Sequence, residues 1–247
     1  MKVSVFILSI ILAMGNSFTE GGFKKQQMKF ERVKVAYQDK WPALQSELKM
    51  KGFNPGFKMC IRAFKSEGIL ELWLQNTDGD KYQLFKSYHF CQHSGLPGPK
   101  LREGDRQTPE GFYHIIAFNP QSNFYLSLGI NYPNQVDYAR SDVNNVKPGS
   151  EIYIHGNCVT VGCIPLTDEL IKEIYVMAIE ARDAGQVEIP VSIFPCKMTD
   201  KNLAAHLKYY PRHKAFWEQL QEGYTYFERH KKLPNVIEDK KMGYSFK

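Results

Sequence analysis

A mainly β fold with flanking helices, of the α+β class, is what the sequence predicts, on three observations. Between Phe57 and Phe194, short runs rich in β-branched and aromatic residues follow one another, separated by turns of glycine, proline and aspartate. Helical periodicity is confined to the two ends and to one span after Pro165. Aromatic residues reach 13% of the chain, a weighting that favours strands.

Taken in order, the first periodic segment covers residues 28–52. Val33, Tyr37, Trp41, Leu44 and Leu48 recur at steps of three and four, one face of a helix. Pro42 is expected to kink or divide it, and Gly52 with Asn54-Pro55-Gly56 ends it. Lys58–Phe64 and Ile69–Leu74 read as strands, Asp78-Gly79 as a hairpin turn and Tyr82–Phe90 as the returning strand. After a Gly/Pro/charged loop, 95–106, come strands Gly111–Phe118, Tyr125–Leu128 and Glu151–His155. Successive short strands of this kind predict a β-sandwich or barrel core. Thr167 is a natural N-cap, with Asp168 and Glu169 in the favourable first turn and Gly185 as the stop. Val187–Phe194 reads as a last strand. Thr199–Arg229 reads as two helical segments broken at Pro211, and the Lys-rich tail beyond as irregular. The central unit is thus 57–195, preceded by a helical segment at 28–52 and followed by a helical extension at 199–247.

The N-terminus adds a location. Met1-Lys2 precedes an apolar stretch from Val3 to Met14, too short to span a bilayer and suited to a signal peptide of residues 1–15. The reading is export to the periplasm or cell envelope with no stable membrane span after cleavage; an uncleaved anchor is the alternative. The net charge of +6 comes from scattered Lys and Arg without a nucleic-acid motif, so no nucleic-acid partner is expected. The five cysteines, Cys60, Cys91, Cys158, Cys163 and Cys196, leave at least one thiol unpaired within an exported chain. Their pairing is left open.

The stretch that carries chemistry is Ile154-His155-Gly156-Asn157-Cys158-Val159-Thr160-Val161-Gly162-Cys163-Ile164-Pro165. A thiol nucleophile needs an imidazole beside it. Fully extended, His155 and Cys163 would stand roughly 26 Å apart, so the chain must fold back between them. Gly156 and Gly162 bracket that reversal and tolerate backbone conformations closed to other residues. Gly162 also leaves uncovered the backbone N–H groups around Cys163, which are natural oxyanion donors.

This stretch resembles the signature of the L,D-transpeptidase (YkuD-like) family, and its His-Gly-x-Cys-Val-Thr-Val-Gly-Cys form is similar to the YafK-type branch. Thr108-Pro109-Glu110-Gly111-Phe112-Tyr113 and Pro133-Asn134-Gln135-Val136-Asp137 resemble further family segments, in the family's order. The resemblance implies a family-type β-sandwich or barrel core and an enzyme acting on peptidoglycan stem peptides, and on wall-linked protein in one variant. Cys163 is implied as nucleophile through a thioester, His155 as base, and the Gly156 carbonyl as the group orienting the imidazole. No cofactor or metal is implied. Gly162, Thr160, Asn157, Tyr113, Asn134 and Arg140 are candidates for the oxyanion site and substrate cleft. The commoner family form has a second His and an Arg where Val161 and Pro165 stand; Arg140 or Arg106 are candidate replacements for the missing cation. The branch resembles proteins that hydrolyse an amide between protein and wall, so hydrolysis stands beside transfer. Two further alternatives are a non-catalytic peptidoglycan-binding module and a zinc site built from His155, Cys158 and Cys163.

Overall fold

The computed structural model describes residues 22–143, 146–240 and 243–247. The predicted signal peptide, 1–15, lies outside the described residues. Among these, no helix is long and apolar enough to cross a membrane.

The chain has the expected α+β class. Among the described residues six α-helices, α1 (Gly22–Gln27), α2 (Glu31–Met50), α3 (Gln135–Val143), α4 (Asp168–Asp183), α5 (Asp200–Leu207) and α6 (Lys214–His230), surround strands β1 (Lys58–Phe64), β2 (Ile69–Gln75), β3 (Gln83–His89), β4 (Gly111–Ser122), β5 (Tyr125–Ile130), β6 (Tyr153–His155), β7 (Ile164–Pro165) and β8 (Pro190–Phe194). The strands run in the order β3-β2-β1-β8-β4-β5-β6-β7. Strand β4 joins the two halves of the sheet: Gly111–His114 pair with β8, and Ile115–Ser122 pair with β5 after a register shift.

The sheet is covered on both sides. On one, α4 packs with α2 over Ile61, Leu72, Leu126 and Ile154. The termini of α4 form as the sequence demands. The Thr167 hydroxyl accepts from Leu170 N–H (3.3 Å), while Gly185, at φ +97°, and Gln186 return N–H bonds to Arg182 and Ala181. Helix α2 runs unbroken through Pro42, which faces solvent with Gln38, whose carbonyl loses its helical donor and is open to water. The buried face of Val33, Ala36, Tyr37, Leu44 and Leu48 carries the helix across that gap.

On the other side, Trp217, Leu220 and Tyr224 of α6 pack on Phe64, Phe112 and Phe194. Here the expected helical extension with an irregular tail needs correction, because the tail is a β-hairpin of β9 (Val236–Asp239) and β10 (Gly243–Phe246). Its anchor is Tyr244, buried beside Phe112, whose hydroxyl accepts from Asn134 Nδ2 (2.7 Å) and Phe112 N–H (3.3 Å). Gly223 leaves the space that the Phe112 and Phe246 rings fill. Two four-residue strands in a Lys-rich tail give too little alternation to read; burial of one tyrosine decides the matter.

Candidate active site

Strand β6 ends at His155, and the chain returns as β7 in parallel register, Ile154 against Ile164 and His155 against Pro165. One step back along that register, Cys163 stands opposite Tyr153, whose N–H donates to Sγ (3.5 Å). Tyr153 and His155 are two apart on one strand, so their side chains share a face. The thiol points toward the Glu151 carbonyl (3.9 Å). Among the described residues no hydrogen bond joins Sγ to the imidazole in this resting arrangement.

The reversal between the two is tightly fixed. Gly156 N–H donates to Leu126 O (3.1 Å), and Asn157 takes the left-handed conformation at φ +64°. A Cβ on Gly156 would lie 2.7 Å from Asp168 Oδ1 and 3.0 Å from Ile171 Cγ2. Gly162 sits at φ +141°, and its Cβ would meet the Gln107 carbonyl at 2.9 Å. Cys158 is joined to Cys91, which pins the middle of the loop to the segment after β3. That disulfide rules against the three-ligand zinc reading, since a sulfur bonded to sulfur is no thiolate ligand. Of the three remaining thiols Cys60 and Cys196 are buried and Cys163 is partly accessible. Burial pushes Cys60 up strongly and Cys196 up to about 12, which makes both poor nucleophiles.

His155 is buried under the Phe124 ring, with centroids 4.7 Å apart. Its Nδ1 lies 2.5 Å from the Gly156 carbonyl. A carbonyl only accepts, so Nδ1 carries the hydrogen and Nε2 is left as an acceptor. Burial pulls the His155 imidazole below its ordinary range, partly offset by that bond. Burial likewise pushes Cys163 up, against the Tyr153 N–H and the Lys100 cation, with Glu151 adding to the rise. Both directions favour the uncharged forms, a thiol at Cys163 and a neutral imidazole at His155.

Five candidate residues have different duties from those expected. The Gly162 N–H already donates to Thr160 Oγ1 (3.1 Å), and the Thr160 hydroxyl donates to the Cys163 carbonyl (2.8 Å). Both residues shape the turn. Asn134 caps α3: its Oδ1 accepts from Val136 and Asp137 N–H, and Asp137 Oδ2 accepts from Asn134 N–H (all 3.0 Å). The Pro-Asn-x-x-Asp segment is therefore a capping box, legible as such from its spacing. The Tyr113 hydroxyl donates to Asp137 Oδ1 (3.1 Å), and the Arg140 guanidinium lies 3.8 Å over the Phe216 ring. Tyr113, Asn134 and Arg140 thus build the seam beneath the C-terminal segment rather than the thiol pocket.

The cation whose field reaches Cys163 is Lys100, which the sequence did not single out. Its Nζ binds Asp105 Oδ1 (2.7 Å) and the Arg102 carbonyl (2.9 Å), while Cε lies beside Gly149, two residues before Glu151. Phe124 and Asp168 were also not singled out as neighbours of His155 and Gly156: Phe124 lies between two predicted strands, and Asp168 reads as a first-turn helix acid.

Comparison with known proteins settles the family. Residues 59–193 match the model of the YkuD L,D-transpeptidase catalytic domain. The chain belongs to the L,D-transpeptidase family. Within that family it is similar to YafK of Escherichia coli K12, provisionally named an L,D-transpeptidase, at 40% identity over 73% of this chain and 71% of YafK. Among solved structures it resembles the helical cell shape determining protein Pgp2 of Campylobacter jejuni at 18% identity and TM-score 0.45, covering 79% of this chain and 80% of that one. The K307A form of Pgp2 aligns at 20% identity and TM-score 0.44 over 72% of this chain and 65% of that chain. Bd1075 of Bdellovibrio bacteriovorus aligns at 18% identity and TM-score 0.40 over 76% of this chain and 78% of that one.

Proposed function

We propose that this L,D-transpeptidase is an exported cysteine enzyme of peptidoglycan, in which Cys163 attacks a stem-peptide carbonyl and His155 moves the proton. One observation supports the reading: the His155 Nδ1–H to Gly156 bond leaves Nε2 as a proton acceptor, on a strand whose parallel partner begins directly after Cys163. The mechanism requires a side-chain rotation at Cys163 that carries the thiol from the Glu151 carbonyl to Nε2. As Sγ bonds to the carbonyl carbon, Nε2 takes the thiol proton and the oxyanion accepts from the Cys163 N–H. Collapse breaks the C–N bond, and the leaving amine receives the proton from His155. The product half is a thioester on Cys163. An amine of a second stem peptide then completes transpeptidation, or water completes hydrolysis of a peptide or protein–wall amide. His155 deprotonates either acceptor.

The test is incubation of the mature chain with purified peptidoglycan and with protein-linked muropeptides, followed by mass spectrometry of products. Cys163→Ala is expected to abolish product. New cross-links identify transfer, and released peptide or protein identifies hydrolysis. Full activity of Cys163→Ala would remove the mechanism.

A further inference from the structure

The dyad ends, in the reading above, at the Gly156 carbonyl. The structure continues one step further. The Gly156 carbonyl and the Asn157 N–H belong to one peptide group, which is planar and trans, so they point in opposite directions. The carbonyl accepts from His155 Nδ1, and the N–H donates to Asp168 Oδ1 (2.8 Å). His155 and Asp168 therefore grip the two ends of one rigid unit.

We infer that Asp168 is a positioning residue for the His155 base, acting through the Gly156–Asn157 peptide. This rests on the Cys163–His155 reading. Three features favour it. Asp168 is not needed to cap α4, because Thr167 already accepts from Leu170 N–H. The contact is close-fitting, with no room for a Cβ on Gly156 before it meets Asp168 Oδ1. Asn157 takes the left-handed backbone conformation directly after this peptide, and its N–H meets Asp168 at the start of α4. The Asp168 side chain on the N–H polarises the peptide and draws charge onto the Gly156 oxygen. That oxygen then holds Nδ1–H more firmly, fixing the tautomer, and favours the imidazolium formed when His155 takes the thiol proton.

The experiment compares Asp168→Ala and Asp168→Asn in the mature chain, read by turnover on peptidoglycan and by nitrogen NMR of His155. Asp168→Ala is expected to lower kcat about tenfold, the loss of one charge-assisted contact, with KM little changed. Its His155 resonances are expected to become those of mixed tautomers. Asp168→Asn keeps an oxygen acceptor without the charge, so it should retain the Nδ1–H tautomer and recover part of kcat. Wild-type tautomer and kcat in Asp168→Ala would overturn the proposal. So would equal losses in both variants with the tautomer unchanged. The NMR readout is independent of turnover: if Cys163→Ala stays active the dyad reading fails, and the His155 spectra still decide the role of Asp168.

Discussion

Substituting Gly156 by Ala probes the site most directly. The new methyl would meet Asp168 Oδ1 at 2.7 Å, Ile171 Cγ2 at 3.0 Å and the Phe124 carbonyl at 3.1 Å. Two of these neighbours cannot rotate away, since one is a backbone oxygen and the other belongs to a residue at the buried root of α4. The backbone of Gly156 is not in the positive-φ region, so the cost is overpacking rather than dihedral strain, about 1–3 kcal/mol. At roughly 2–4 °C per kcal/mol for a chain of this size, the melting temperature should fall by about 2–12 °C. The activity loss should be larger in proportion. Relief of the clash tilts the peptide that holds His155 Nδ1, and a displacement of order 1 Å at a reacting group costs about a hundredfold in rate. Calorimetry and steady-state turnover on peptidoglycan supply the two numbers. Gly185→Ala is the control: nothing lies within 4 Å of its Cβ, and only φ +97° is unfavourable, so stability drops while turnover stays. Wild-type turnover in Gly156→Ala would refute the argument that this turn sets the base.

Three other expectations follow from the same structure. Removing the Cys91–Cys158 bridge, which spans 67 residues, releases unfolded-chain entropy worth about 4 kcal/mol, so Cys91→Ser/Cys158→Ser should melt about 8–16 °C lower, as thermal scans would record. Lys100→Met removes the cation that favours the Cys163 thiolate and strands Asp105; iodoacetamide should then alkylate Cys163 more slowly between pH 7 and 9, by mass spectrometry of the labelled peptide. Burial raises the Asp137 carboxyl from 3.8 to about 7, so the folded chain binds its proton more tightly than the unfolded chain does. Its contribution to stability is fully present below pH 3.8 and is lost as pH rises through about 7. Asp137→Asn should therefore flatten the stability–pH curve across that window, measured by urea titration at several pH values against wild type.

The residues of the candidate site were singled out from the sequence alone. His155, Gly156, Gly162 and Cys163 stand out because a thiol and an imidazole eight positions apart demand a chain reversal, in which Gly162 takes φ +141° and Gly156 leaves no room for a Cβ. The N-cap and stop of α4 were equally plain, since Thr167 and Gly185 act through their own backbone neighbourhoods. What the sequence could not supply was anything built from distant segments. Cys91 found Cys158 across 67 positions, and Lys100 came within the field of Cys163 through the packing of one loop on another. Asn134, Tyr113 and Arg140 carry polar groups suited to a cleft, yet tertiary packing spent them on α3 and the Tyr244 seam. Local chemistry and backbone freedom are written in neighbouring residues. Which polar group faces which pocket is decided only when the sheet, α4 and the C-terminal segment close together, because burial then makes an unpaired polar atom too costly to leave.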